Sequence, residues 1–173
     1  MRTALAVVCA LFLAGCFTSE DELIGFWGAN TPLQDGVWAH WPTHPDGTEW
    51  DIETWRGPIE NTRRRYESGE ENFPHQNARF RALHENLYLV QLPREDGVGY
   101  GVAWTYEGGA VVSYHQPACS DLGEAKLAEH GVRLDPEGFC RVTDLDQLEA
   151  VMRAYLDALG ADIVVDGVYR RVG

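Results

Sequence analysis

"VGYGVAWTYEGGAVVSYHQ" (residues 98–116) reads as two extended segments joined by Glu107-Gly108-Gly109. Across 98–106, Val98, Tyr100, Val102, Trp104 and Tyr106 fall on one face, and Gly99, Gly101, Ala103 and Thr105 on the other. A period of two marks a strand, because successive side chains leave opposite faces of the pleat. The small face permits close packing or strong curvature. Outward from this pair, "ARFRAL" (78–83) and "LYLVQL" (87–92) are further short strands, and "HEN", "PREDG" and "EGG" supply the turns. Short strands between tight turns predict an antiparallel meander.

Upstream, "GVWAHW" (36–41) is another short strand, and Ser19 with Glu22 forms a capping-box pattern that predicts one helical turn at 20–24, with a strand starting near Phe26. "TEWDIETW" (48–55) alternates, with Glu49, Asp51 and Glu53 on one face and Trp50 and Ile52 on the other. A turn centred on Gly57 would set Asp51 opposite Arg63 and Glu49 opposite Arg65. Such a charge ladder contributes roughly 0.2–1 kcal/mol per pair. The polar stretch 67–77 is long enough to be a lid or a contact surface.

Downstream the texture becomes helical. Ser120 can cap a helix to about His130, with Gly131 as its stop. A short strand around Phe139 to Val142 carries Cys140. Thr143 then caps the longest helix, 144–159, where Leu145, Leu148, Met152, Tyr155, Leu156 and Leu159 form one apolar stripe ended by Gly160. "DIVV" and "GVYRRV" close the chain as a strand or hairpin. The expected fold is α+β, mostly β: an antiparallel meander or partial barrel with two C-terminal helices, in one globular domain spanning 23–173.

The N-terminus has a different logic. Arg2 is followed by an apolar stretch from Ala4 to Ala14, shorter than the roughly 20 residues a membrane-spanning helix needs. A charged start, a short apolar middle and a small-residue end make a secretory signal. Leu13-Ala14-Gly15-Cys16 resembles the lipobox of bacterial lipoproteins. That resemblance implies cleavage before Cys16, diacylglycerol on its thiol and an acyl chain on its amine. Each buried methylene contributes roughly 0.8 kcal/mol, so several chains together anchor the protein stably. Phe17 stands where an Asp would retain a lipoprotein in the inner membrane, so the resemblance implies an outer-membrane protein facing the periplasm. Residues 1–15 are then a signal peptide and 16–22 a lipidated tether.

Removing residues 1–15 from 173 leaves 158, with 13 basic against 27 acidic residues and a net charge of −14. That charge argues against nucleic acid as a partner. Cys9 leaves with the signal and Cys16 carries lipid, so Cys119 and Cys140 are the expected disulfide outside the cytoplasm.

No catalytic constellation emerges. His40 and His44 have helical metal-ligand spacing, but Pro42 lies between them and prevents a helix. His75, His84 and His115 are scattered. There is no G-x-S-x-G, and "GVGYGV" lacks the last glycine of a dinucleotide fingerprint. Ser113 and His115 share a strand face by chance spacing, and the acidic row at 49–53 has arginines to pair with. The chain is therefore expected to be non-enzymatic, with no metal and no cofactor.

Six tryptophans and seven tyrosines exceed what a core of this size needs, and such residues also line pockets and interfaces. Trp38, His40 and Trp41 are the candidate binding surface, because Pro42 and Pro45 end the strand there. Tyr100, Trp104 and Tyr106 are the candidate pocket lining. Gly25-Phe26-Trp27 resembles the G-x-W signature of lipocalins, which implies an eight-stranded barrel holding an apolar ligand. The T-D-Y motif of that family is missing here. Two functions follow as expectations: an envelope lipoprotein presenting an aromatic, acidic surface to a protein partner, or a binder of an apolar ligand or lipid. A filled sheet interior favours the first, a hollow one the second.

Overall fold

The computed structural model describes residues 16–173; the apolar run of the expected signal peptide lies outside the described residues. The elements in chain order are β1 (Phe17–Ser19), β2 (Gly36–Pro42), β3 (Trp55–Thr62), β4 (Arg65–Glu67), β5 (Arg79–Ala82), β6 (Leu87–Arg94), β7 (Gly97–Tyr106), β8 (Val111–His115), α1 (Glu124–Glu129), β9 (Arg133–Leu134), β10 (Cys140–Arg141), α2 (Leu145–Leu159) and β11 (Gly167–Arg171).

These strands form one open, mixed sheet. Meander connections join β2–β3–β4 and β5–β6–β7–β8, and β11 returns to lie antiparallel between β2 and β8. One edge of β7 pairs with β6 along its length. Its other edge is shared between β8, at Val102 to Tyr106, and β1, at Val98 to Tyr100. The parallel pairing is that of β1 with β10. The outer strands β4 and β5 approach each other at one bridge, where Tyr66 N donates to Ala78 O at 2.9 Å.

Two cores lie on the two faces of this sheet. Inside its curl, Trp38, Trp55, Ile59, Tyr66, Phe80, Val112 and Tyr169 pack together. On the outer face, Phe17, Leu89, Val98, Tyr100 and Val102 meet Leu148, Val151, Met152 and Tyr155 of α2. The two faces of β7 thus do different work: the large residues meet the helix, and Ala103 on the small face belongs to the inner core. The turn into β8 uses three successive positive φ values, at Glu107, Gly108 and Gly109, which explains the glycine pair.

Helix α2 forms where its apolar stripe predicts, but Asp144 is the cap rather than Thr143: its side chain accepts from Gln147 N at 2.8 Å. Gln147 Oε1 reciprocates by accepting from Thr143 N. The helix expected over 120–130 is broken by Gly123 at φ 77° into a 3₁₀ turn, Cys119–Leu122, and the short α1. Cys119 and Cys140 form the disulfide, with Cα atoms 6.1 Å apart.

Three expected elements are corrected. The segment 16–22 is no tether, because β1 is part of the sheet and Phe17 is fully buried against Tyr155. The strand expected from Phe26 is a 3₁₀ turn, Phe26–Gly28. The strand expected at 48–55 is a loop, and Gly57 sits inside β3 opposite Trp38. The turn lies instead at Arg63-Arg64, both with positive φ. The charge ladder therefore dissolves: Glu49 pairs with Arg170 and Glu53 with Arg56.

Candidate functional site

The candidate surface at Trp38, His40 and Trp41 is not a surface. Trp38 and His40 are two apart on β2, so both point into the curl, where Trp38 is fully buried and His40 nearly so. His40 Nδ1 lies 2.9 Å from Thr54 Oγ1, Nε2 lies 2.9 Å from Tyr114 OH, and the ring stacks on Tyr169. His75 adds a bond from Nδ1 to Tyr169 OH at 2.6 Å. Burial lowers His40 to a pKa of about 4 and His75 to about 3. Trp41, on the opposite parity, is half-buried beneath the Arg170 guanidinium.

The candidate pocket also fails to assemble. Tyr100 is buried on the helix-covered face, its hydroxyl bonded to Ser19 Oγ at 2.8 Å. Trp104 packs against the same core, and Tyr106 is exposed at the strand end. The cavity inside the curl, among Leu33, Tyr66, Phe80 and Tyr169, offers about 40 Å³ of open space. That admits water and falls far below the roughly 300–1,000 Å³ of a small-molecule pocket. The stretch 67–77, expected as a lid or a contact surface, helps fill this space: Phe73 packs on Trp55 at 4.7 Å. Trp27 of the G-x-W triplet is exposed, edge-on to Phe26. Ser113 and His115 do not combine, since Ser113 Oγ is buried without a partner. His40 is buried in the sheet while His44 stacks on Trp50 in the loop after β2, and no metal-ligating group of three or more residues occurs among the described residues.

A different site is present. Between the loop after β2 and the C-terminal end of α2 lies an open cleft of about 500 Å³. One wall is His44, Pro45 and Trp50, with the rings of His44 and Trp50 stacked at 5.8 Å. Local hydrogen bonds shape this wall: His44 N donates to Thr48 O, and Asp46 Oδ1 accepts from both Thr48 N and Thr48 Oγ1. Glu49 grips Arg170 of β11 through two bonds, and Trp50 N donates to Pro42 O. The opposite wall is Leu159, Asp162 and the run Ile163 to Asp166. Thr43 ties the walls together, donating from N to Asp166 O and from Oγ1 to Val165 O.

The floor is a polar chain. His115 Nδ1 lies 3.4 Å from Asp166 Oδ2, and His115 Nε2 lies 3.0 Å from Tyr155 OH. Tyr155 OH donates to Asp121 Oδ2 at 3.5 Å. Burial and the nearby Asp121 carboxylate push the Tyr155 hydroxyl above the ordinary phenol range, so it stays protonated at neutral pH. Gln116 links this floor to the N-terminus: its backbone N donates to Asp166 Oδ2 at 2.6 Å and its Nε2 to Cys16 Sγ at 2.8 Å.

Sequence spacing missed this cleft because its residues come from three distant segments. The available signal was "GADIVVD" (160–166), apolar residues framed by aspartates directly after a helix stop. No protein-family model, no curated protein and no solved structure matches the chain. Among the described residues no helix is long and apolar enough to cross a membrane.

Proposed function

We propose that the protein is a non-enzymatic lipoprotein, anchored in the outer membrane through a lipidated Cys16 and facing the periplasm, whose cleft beside Trp50 binds a protein partner in the envelope. The lipobox at 13–16 supports the anchor. The strand β1 begins one residue after Cys16, so the lipid would attach to the folded domain with no spacer. Cys16 is buried against Gln116, and a diacylglyceryl group on its thiol therefore requires the Gln116 side chain to swing aside. Gln116 also bonds to Asp166, which supports a reading with the cleft on the side of the domain nearest the lipid.

The observation that carries the partner reading is a contrast between two spaces. The sheet is read as a partial barrel packed by aromatic side chains, with about 40 Å³ left inside, while the exposed aromatic and acidic cleft offers about 500 Å³. A lipocalin-like carrier needs the reverse. Native mass spectrometry of the full chain purified from membranes tests this reading. The expected mass is that of the acylated chain, lighter by two hydrogens for the disulfide, without small-molecule cargo. A lipid-sized mass released on denaturation would overturn it. Cys16→Ser is expected to leave the membrane fraction.

A further inference from the structure

We infer that the stretch 67–77 is an acid-released strap: protonation of His75 lifts it off the sheet and uncovers the aromatic interior, while the core around α2 stays closed. The device is independent of what the cleft binds. The strap connects β4 to β5 and is closed on itself at its base. There Tyr66 N donates to Ala78 O and Ala78 N to His75 O, while Gln76 Oε1 accepts from Ser68 N and Gln76 Nε2 donates to Ser68 O. Beyond that base, and among the described residues, one hydrogen bond joins 68–77 to the sheet, between His75 Nδ1 and Tyr169 OH. Asn72 and Asn77, both with positive φ, bracket the run that dips inward. Two rings pin it: Phe73 packs on Trp55 at 4.7 Å, and His75 meets Tyr114 at 4.5 Å. The Glu70 stem rests on Gly57, where a Cβ would come within 2.7 Å of Glu70 Cγ. A compact loop whose ends meet, and which is held by side chains rather than by backbone bonds, can open as a unit.

One pin is titratable, and its surroundings offer a cation no counter-charge. His75 faces His40 from β2 at 6.4 Å, Tyr114 from β8 and Tyr169 from β11. It also borders a small space shared with Arg94 of β6 and His115 of β8. Among the described residues, no aspartate or glutamate lines either space that His75 borders. A charge set among phenols and other basic groups carries a desolvation cost that nothing there offsets. Water relieves that cost, so the proton stabilises the lifted strap. The same crowding holds the His75 pKa at about 3, against an ordinary 6.5. The lifted form binds the proton more tightly, so opening increases as pH falls below 6.5. Between pH 7.5 and pH 5.5, His75 alone raises the open population about tenfold. Lifting withdraws Phe73 and His75 from the cavity that they line together with Ile59 and Val112. The domain then presents in acid an apolar surface that is covered at neutral pH.

The test is thiol accessibility in the full chain, in non-ionic detergent, with 4,4′-dithiodipyridine as the probe and the adduct located by peptide mass. Val112→Cys places a thiol in the inner core, in the cavity that Phe73 and His75 line. Val151→Cys places one in the core beneath α2. Each rate is divided by that of the same variant unfolded in urea at the same pH, which removes the thiol's own pH dependence. The thiol at 112 is expected to react faster than that at 151 at both pH values. Its rate is expected to rise about tenfold from pH 7.5 to pH 5.5. In His75→Gln the rise at 112 is expected to shrink about tenfold, while slow labelling at 151 shows that the fold is intact. His40→Gln, which retains His75, is expected to retain a step of about tenfold.

A rate at 112 that is flat between the two pH values would overturn the inference. Equal rates at 112 and 151 would overturn it too, because the interior would then open only by global unfolding. Both outcomes are read with His75 in place, so they decide the matter even if His75→Gln fails to fold. A step of unchanged size in a folded His75→Gln would remove His75 as the trigger and overturn the inference as well.

Discussion

At the scale of single residues, the sheet interior depends on two histidines being neutral. His40 and His75 have folded-state values of about 4 and about 3, against an ordinary 6.5. Their phenol neighbours Tyr114 and Tyr169 are pushed upward by burial and stay protonated, so they supply no compensating charge. The unfolded chain binds protons at these histidines below pH 6.5 while the folded chain does not. Stability is therefore full above about pH 6.5 and falls as pH drops towards 4. The slope approaches about 1.4 kcal/mol per pH unit for each histidine. Urea denaturation at pH 7 and pH 5 is expected to show this loss, and His40→Gln to show a smaller one. The tryptophans divide on the same scale. Trp38→Ala removes a fully buried indole and is expected to cost about 3–5 kcal/mol. Trp50→Ala, at an exposed site, is expected to change stability by less than about 0.5 kcal/mol. Thermal unfolding of the two variants checks the contrast. The burial of Trp38 was legible in principle: it lies two residues from His40 on one strand and on the face opposite Trp41. The abundance of aromatics drew attention to a surface, whereas period two assigns both residues to one face.

At the scale of elements, the apolar stripe of α2 and the alternation of β7 were legible because each has one face that packs on a neighbour. The alternation at 48–55 has no buried face: Trp50 and Ile52 are exposed, at 44% and 72%. Its pattern therefore carried no strand information. The segment after Cys16 was misread in the opposite direction, as short polar lengths near a terminus resemble tethers. Its structural role comes from long-range partners: Phe17 beneath Tyr155, and Glu22 bridging Arg65 and Arg79 at 2.8 and 2.9 Å. Arg79 is nearly buried, so Glu22→Gln is expected to destabilise the fold by roughly 1–3 kcal/mol, read from the urea midpoint. The disulfide joins the 3₁₀ turn before α1 to β10, closing a separation of 21 residues. Replacing both Cys119 and Cys140 by Ser is expected to cost about 2–4 kcal/mol. The matching control is a wild-type midpoint that drops on reduction while the double variant's does not.

At the scale of the whole molecule, the domain combines a packed interior, a Cys16 that leads directly into a strand of the sheet, and an open cleft joined to Cys16 through Gln116. The resemblance at 13–16 is a local, linear pattern, whereas the cleft has no such signature. Asp121, Trp50 and Asp166 meet only once β11 has returned between β2 and β8. Electrostatics at this scale disfavours an acidic partner, since the chain carries a formal net charge of −13 and three aspartates line the cleft. The most direct measurement of the central claim is site-specific photo-crosslinking in intact cell envelopes, with the photoreactive residue at position 50 or at position 27. Trp27 is the more exposed of the two and lies outside the cleft. The account predicts a discrete protein adduct from position 50 and none from position 27. Equal labelling from both positions, or adducts from position 27 alone, would contradict it.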